Sequence, residues 1–352
     1  MNSPKSIAIT CFTLLALSGN GLSASGAETQ PRNKTFGDWC RAQASLSREA
    51  KHTVEVLLKK AGTTECAEAE RKLSSLTKLT IISNQIRDIQ PIASLSNLIE
   101  LSLINNKIRD IKPLESLTKL TYLHLIDNEI SDIKSLQYLT NLTSLDLSFN
   151  KIRDIKPLAS LTDLSYLNLA KNNINNIKPL QSLTKVTLLY LGMNKIDDLK
   201  PLQSLTNVTV LFLAFIHTSD IKPLASLTNL TSLTLLGNKI SDLKPLASLS
   251  NLTSLTLMLN NISDLKPLAS LTNLTELDLR FNKIRDIKPL ASLTNLTVLH
   301  ISGNKIRDIK LLASLTKLTE ISLSGNPIEP NTCPLSPESI CKWELEPNSS
   351  EN

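Results

Sequence analysis

The chain has 352 residues, 41% of them hydrophobic but 3% aromatic, and a formal net charge of +6 at pH 7. A chain this apolar with so few rings is expected to bury aliphatic layers rather than one globular centre. It has nine glycines and no G-x-S-x-G, H-E-x-x-H or phosphate-binding loop, so no motif supports catalysis and no cofactor is expected.

The segment 1–27 is predicted to be a signal peptide. Lys5 precedes an apolar run from Ile7 to Leu17, and the small residues Ser25, Gly26 and Ala27 follow as a cleavage region. The run is too short to cross a bilayer, Cys11 lies in no lipoprotein box, and no second apolar stretch supplies a membrane anchor. The alternative is a disordered leader on a cytosolic protein. The expectation is a monomer exported to the periplasm or the cell surface, with 28–35 as a linker. Loss of Lys5 leaves 37 basic against 32 acidic residues.

Residues 36–72 are predicted to form a helical N-terminal cap. Ser47 can cap a helix whose apolar face is Ala50, Val54, Leu57 and Leu58 and which ends near Gly62, and Thr64 can begin a second helix. Apart from Cys11, four cysteines remain: Cys40 and Cys66 before residue 73, Cys333 and Cys341 after residue 330. Even numbers at the two ends of an exported chain predict a disulfide at each end. A zinc site is the alternative, but thiols at opposite ends of an elongated body cannot converge on one metal, and no metal site is assigned.

Between the caps, asparagine returns at one constant interval, at Asn84, Asn106, Asn128, Asn150, Asn172, Asn194, Asn238, Asn260, Asn282, Asn304 and Asn326, with Ile216 at the one missing position. Such a fixed period signals a solenoid. Apolar residues precede each ladder position, as Leu139, Leu142, Leu145 and Leu147 precede Asn150, and follow it, as do Ile152, Ile155 and Leu158. The alternation Leu145, Asp146, Leu147 has the period of a strand with its leucines inward, and successive strands are predicted to stack in parallel. A sharp turn after each strand leaves backbone donors and acceptors buried between coils, and a buried Asn carboxamide can bond both. The asparagines are therefore predicted to form a structural ladder. Seven places after the ladder position, nine units carry proline, whose fixed φ suits the start of a short helical turn. Ser135 and Leu311 replace it in two others.

The pattern L-x-x-L-x-L-x-x-N-x-I, and the longer unit I-x-D-I-K-P-L-x-S-L-T-N-L-T from Ile284 to Thr297, resembles leucine-rich repeat proteins, in particular the 22-residue bacterial repeats of internalins. The resemblance covers twelve tandem units over 73–330, and the chain as a whole is similar to secreted leucine-rich repeat proteins of cyanobacteria. It implies an α/β solenoid, a right-handed horseshoe or arc with a parallel sheet on the concave side and short 3₁₀ or irregular segments on the convex side. It also implies recognition of a protein. Residues 331–352 are left as a C-terminal cap and tail, a Pro-rich loop closed by Cys333 and Cys341 with Trp343 available to cover the last layer.

On the concave face, two outward columns lie six and four residues before each ladder position. In units three to seven they gather Tyr122, His124, Tyr166, Leu188, Tyr190, Val210 and Phe212, with Asp146 among them. A contiguous apolar and aromatic patch on a face that could be polar marks a partner site, and tyrosine is well suited to one. Lateral packing between strands with no ligand is the alternative. Phe149, Phe215 and Phe281, each one place before its ladder position, are read as turn fillers. Around Ile216, the residues His217 and Thr218 mark either a loop opened for binding or sequence drift.

The remaining features carry less functional information. Alternating columns such as Asp154 and Lys156 read as a self-neutralising flank, and with no stacking surface there, nucleic acid is not an expected partner. Ser144, His124 and Asp146 sit on adjacent strands, but without an oxyanion hole they are read as a polar cluster rather than a triad. The N-L-T triplets, such as Asn141 to Thr143, belong to the repeat and are not read as glycosylation sites. The reading is an exported module that recognises a protein partner, or an envelope glycan, through its concave face. A passive structural or self-associating envelope protein, or a hydrolase, are the alternatives.

Overall fold

The structure is a computed structural model and describes residues 34–344. The signal peptide expected over 1–27, the linker up to residue 33 and the tail from 345 lie outside the described residues. Three helices come first: α1 (Phe36–Arg41), α2 (Arg48–Ala61) and α3 (Cys66–Ser74). Thr35 and Asp38 form a reciprocal capping box on α1, a helix too short for its periodicity to show in the sequence. Ser47 Oγ accepts from Ala50 N–H at 3.1 Å to start α2, and Gly62 ends it at a left-handed φ of 66° that a glycine adopts without a side-chain clash. At α3 the N-cap position is Glu65 and no side chain caps the helix, so Thr64 does not start it as expected. The Thr63 hydroxyl, not that of Thr64, accepts from Glu65 N–H at 3.2 Å and donates to the Glu68 carboxylate at 2.9 Å.

The helical region is tied internally and to the first coil. A Cys40–Cys66 disulfide, with a Cα–Cα distance of 5.6 Å, joins α1 to α3, and Gly37 N–H donates to the Glu70 carboxylate between the same helices. Val54 and Leu57 of α2 are fully buried. Its polar residues bond the first turn of the solenoid, His52 Nε2 donating to Asn84 O at 2.7 Å and Thr53 Oγ1 to Asp88 O at 2.6 Å.

Thirteen strands then form one parallel sheet in sequential order. They are β1 (Lys78–Ile82), β2 (Glu100–Ile104), β3 (Tyr122–His124), β4 (Ser144–Asp146), β5 (Tyr166–Asn168), β6 (Leu188–Tyr190) and β7 (Val210–Phe212), followed by β8 (Ser232–Thr234), β9 (Ser254–Thr256), β10 (Glu276–Asp278), β11 (Val298–His300), β12 (Glu320–Ser322) and β13 (Cys341–Lys342). From each strand to the next the register advances by one whole repeat, without slip through β12, as where Leu145 faces Leu167. The last strand, β13, is held by the Cys333–Cys341 disulfide, Cα–Cα 5.8 Å.

Each coil returns through a 3₁₀ segment such as Lys156–Ser160, apart from the first, which uses a short helical turn at Gln90–Ala93. The aspartate column has a structural task as well as a charge: Asp154 Oδ1 accepts from Lys156 N–H at 2.9 Å, and Asp110 and Asp198 repeat the bond in their own coils. Where Ser135 replaces proline, its hydroxyl donates to Ile111 O at 3.1 Å.

Leucine and isoleucine from successive coils fill the interior in layers. In one coil, Leu139, Leu142, Leu145, Leu147, Ile152, Ile155 and Leu158 are all fully buried. Each contributes about 1.5 to 3 kcal/mol before chain ordering is subtracted, and does so only against its neighbours above and below. Both ends of such a stack need covers, which α2 at one end and the disulfide-closed loop at the other provide.

The asparagine carboxamides join these layers. Asn194 Oδ1 accepts from Ile174 N–H at 3.0 Å, and its Nδ2 donates to Leu169 O and Leu191 O, each at 2.9 Å. One side chain thus satisfies backbone groups of its own coil and the one before. Asn84 differs. With no coil before it, it is half-buried and its Nδ2 donates only to Ile82 O, at 2.6 Å. At the missing position Ile216 is buried and offers Ile196 N–H no carboxamide; the ladder resumes where Thr218 N–H donates to Asn238 Oδ1 at 3.2 Å.

Three lesser ladders accompany this one. Thr143 Oγ1 donates to Thr121 O, Ser182 Oγ to Ala159 O and Asn141 Nδ2 to Thr118 O, so both polar residues of an N-L-T triplet serve to stitch coils. The residue before each ladder position adopts a left-handed backbone, with φ of 50 to 67°. Such a backbone costs an ordinary side chain about 1 to 2 kcal/mol.

Asn194→Ala is expected to cost about 1 to 3 kcal/mol, the penalty for leaving buried backbone groups unpaired, and Asn84→Ala clearly less. Urea unfolding of both variants beside the parent measures the difference. An unchanged midpoint for Asn194→Ala would mean the carboxamide carries no such energy.

Candidate functional site

Strands β3 to β7 place two rows of side chains on the outer face of the sheet. In register, Tyr122, Ser144, Tyr166, Leu188 and Val210 form one row, and His124, Asp146, Asn168, Tyr190 and Phe212 the other. The rings make a continuous ladder: Tyr122 to His124 at 3.8 Å between centroids, His124 to Tyr166 at 5.8 Å, Tyr166 to Tyr190 at 5.8 Å and Tyr190 to Phe212 at 6.2 Å. All five rings, with Leu188 and Val210, are half-buried. Phe212 lies against the backbone of Gly192, where a Cβ would sit 2.5 Å from its Cε1; only glycine leaves room for the ring in that position.

Asp146 does not remain on the surface with its neighbours. It is 3% exposed, because the flanking rings close over it and its oxygens are taken up beneath them. Oδ1 accepts from Ser148 N–H and Oγ at 2.9 and 2.6 Å, and Oδ2 accepts from Tyr166 OH at 3.0 Å and Asn168 Nδ2 at 2.9 Å. A buried carboxylate requires partners of this kind. Burial first, and then the charge of Asp146, push the Tyr166 phenol well above its ordinary range, so Tyr166 remains a donor. Tyr122 is raised for the same reasons.

His124 bonds through both ring nitrogens, Nδ1 to Tyr122 OH at 2.7 Å and Nε2 to Ser144 Oγ at 3.2 Å. Its Nδ1 faces Tyr122 rather than Asp146, whose oxygens are engaged with Ser148, Tyr166 and Asn168. The three residues of a nucleophilic triad are therefore neighbours without the relay a triad needs. The arrangement is an aromatic surface with internally satisfied polar groups.

Further apolar side chains reach the surface beyond the two columns read from the sequence. Phe149, Met193, Phe215, Leu259 and Phe281 occupy the left-handed position before the ladder residue and are among the exposed large hydrophobic residues. The alternation of Gly, Asn, Asp, Ser and Lys with Phe, Met and Leu at that one position is the sequence signal that marks them. Away from the aromatic ladder, Asp278 pairs with Arg280 at 2.7 Å and His300 Nδ1 meets Ser322 Oγ at 3.2 Å. Among the described residues no group of three or more His, Cys, Asp or Glu side chains could hold a metal, and no helix is long and apolar enough to cross a membrane.

Burial holds the His124 imidazole below its ordinary pKa of 6.5, against a smaller opposing effect of Asp146. The unfolded chain then binds more protons than the folded one once the pH falls below 6.5, so stability is full above that value and declines on acidification. A histidine NMR titration should place the His124 midpoint below 6.5, and the melting temperature should drop from pH 7.5 to 5 less steeply in His124→Gln. A midpoint above 6.5 would contradict the packing described.

Comparison with known proteins agrees with this architecture. The family model described as leucine rich repeats (2 copies) matches residues 74–116, 96–138, 118–160, 140–183, 206–248, 250–292 and 294–333. Among solved structures, an internalin (InlF) from Listeria monocytogenes is similar at 38% identity and a TM-score of 0.75, over 79% of this chain and 82% of that one. A leucine-rich repeat protein of Leptospira interrogans is similar at 26% identity and a TM-score of 0.67, over 78% and 79%. The plant peptide hormone receptor RGFR1, solved in complex with RGF2, shares the fold at 22% identity and a TM-score of 0.60, over 72% of this chain and 52% of the receptor chain. No curated protein matches the sequence. The fold is typical of protein-binding modules, and no catalytic family is matched. With repeat matches tiling the coils and an internalin aligned over most of its length, the chain belongs to the leucine-rich repeat family, in its internalin-type form.

Proposed function

We propose that this protein is an exported recognition module that holds a protein partner against the aromatic face of β3 to β7. The observation that carries the reading is the ring ladder from Tyr122 to Phe212, continuous over five strands and half-exposed along its length. Rings of this kind supply large contact area at little entropic cost, and here hydrogen bonds already hold several of them in place. Little ordering remains to oppose binding. Export is supported by the two disulfides, which persist in oxidising compartments, and by the internalin-type family. The small polar residues of β8 and β9, such as Ser232, Thr234, Ser254 and Thr256, bound the patch on one side.

Capture from an envelope extract of the native host, followed by affinity measurement on the captured partner, tests the reading. The Tyr190→Ala, Phe212→Ala double variant should bind roughly thirtyfold more weakly, the loss of about 2 kcal/mol expected when central aromatic anchors are truncated. Its melting curve should keep the parent's cooperativity. Equal capture by both proteins would remove this surface from consideration.

A further inference from the structure

We infer that the turns leaving the strands carry a second docking surface, an apolar ridge edged with lysine that accepts an extended acidic and aliphatic segment of another protein. Phe149, Met193, Phe215, Leu259 and Phe281 hold φ of 54 to 58° and are 38 to 42% exposed. In the other coils the same position is filled by Ser83, Asn105, Asp127, Lys171, Gly237, Gly303 and Gly325; all but Ser83 and Lys171 are residues that visit this conformation at least cost. Bulky apolar side chains here are unfavourable twice, in backbone strain and in exposure. Strain retained where a cheaper residue would serve points to use.

The rings lie along the ridge rather than projecting from it. A Cβ on Gly237 would fall 2.2 Å from Phe215 Cε1, and one on Gly303 2.5 Å from Phe281 Cδ1, so these two rings are pressed against the backbone of the next coil. Lys171 Nζ sits 4.4 Å from the Phe149 ring centre. Two places beyond the ridge position, past the buried ladder residue, stand the exposed lysines Lys151, Lys195, Lys239 and Lys283, of which Lys151 also pairs with Glu129 at 3.7 Å. From the ridge position to four residues beyond it, the seven coils from Phe149 to Arg285 hold seven Lys or Arg and one acid, Asp197. The aspartates one place further on are turned into the 3₁₀ caps.

This charge selects the occupant. A second copy would set lysine against lysine, whereas an acidic segment is complementary. Side chains less than half exposed and pressed against the next coil give a surface to pack against, not wedges to enter a bilayer, which favours a polypeptide over a lipid surface. Seven coils span about 29 Å at a strand spacing near 4.8 Å, the reach of roughly nine extended residues. The ridge uses residues other than those of the aromatic face in the proposed function and can be tested apart from it.

The probe is a fluorescein-labelled peptide alternating glutamate with leucine, followed by anisotropy at low salt. It should bind the parent, weaken about tenfold in a Phe149→Gly, Phe215→Gly, Phe281→Gly variant, and weaken likewise in Lys195→Glu, Lys239→Glu. Glycine suits the left-handed backbone, so the first variant should keep the parent's melting temperature. The Tyr190→Ala, Phe212→Ala variant should bind the peptide as the parent does. No binding to the parent, equal binding by the ridge variants, or preferential binding of phosphatidylcholine and phosphatidylglycerol vesicles would overturn the inference.

Discussion

Each coil of this protein makes a sharp turn that buries backbone groups where water cannot reach them, and, except where Ile216 interrupts the ladder, the carboxamide one coil on is what satisfies them. That requirement sets the rest of the structure. A carboxamide that bonds Ile174 N–H, Leu169 O and Leu191 O together fixes both the height and the phase of one coil on the next. A unit with an insertion would bring its Asn to the wrong place, and with constant phase the outward side chains fall into straight columns.

Straight columns make the aromatic face possible. Tyr122, Tyr166, Tyr190 and Phe212 belong to four different coils and are remote in sequence, yet they form one surface because the sheet register never slips. The polar groups among them serve order. Asp146 is covered and holds Tyr166 and Asn168, while His124 bridges Tyr122 and Ser144. A surface held in this way would have few degrees of freedom left to lose on binding.

The same regularity shows where the chain departs from what stability alone favours. Ile216 forgoes a ladder bond, and neighbouring coils tolerate it because stability in a repeat array is spread over many interfaces. Phe149, Met193, Phe215, Leu259 and Phe281 take a backbone suited to glycine without entering the core. One departure concerns a buried position and is silent at the surface; the other alters the surface that a partner would meet.

Period and polarity were enough to read the solenoid, its parallel strands and its ladder, since each depends on residue type at a fixed spacing, while the even number of cysteines at each end pointed to the two disulfides. The columns that hold Tyr122 to Phe212 followed from the same count. Side-chain direction within those columns did not. Nothing in the spacing distinguishes Asp146, which folds under its neighbours, from Asp278, which pairs with Arg280. Nor does it show that α3 begins without a side-chain cap from Thr64, that the aspartates cap 3₁₀ segments, or that the residue before each asparagine is left-handed. Sequence alone determined the repeat because one short coil recurs with the same local physics. Only the tertiary structure decided which outward groups stay in water, because that depends on what the adjacent coil presents at the same height.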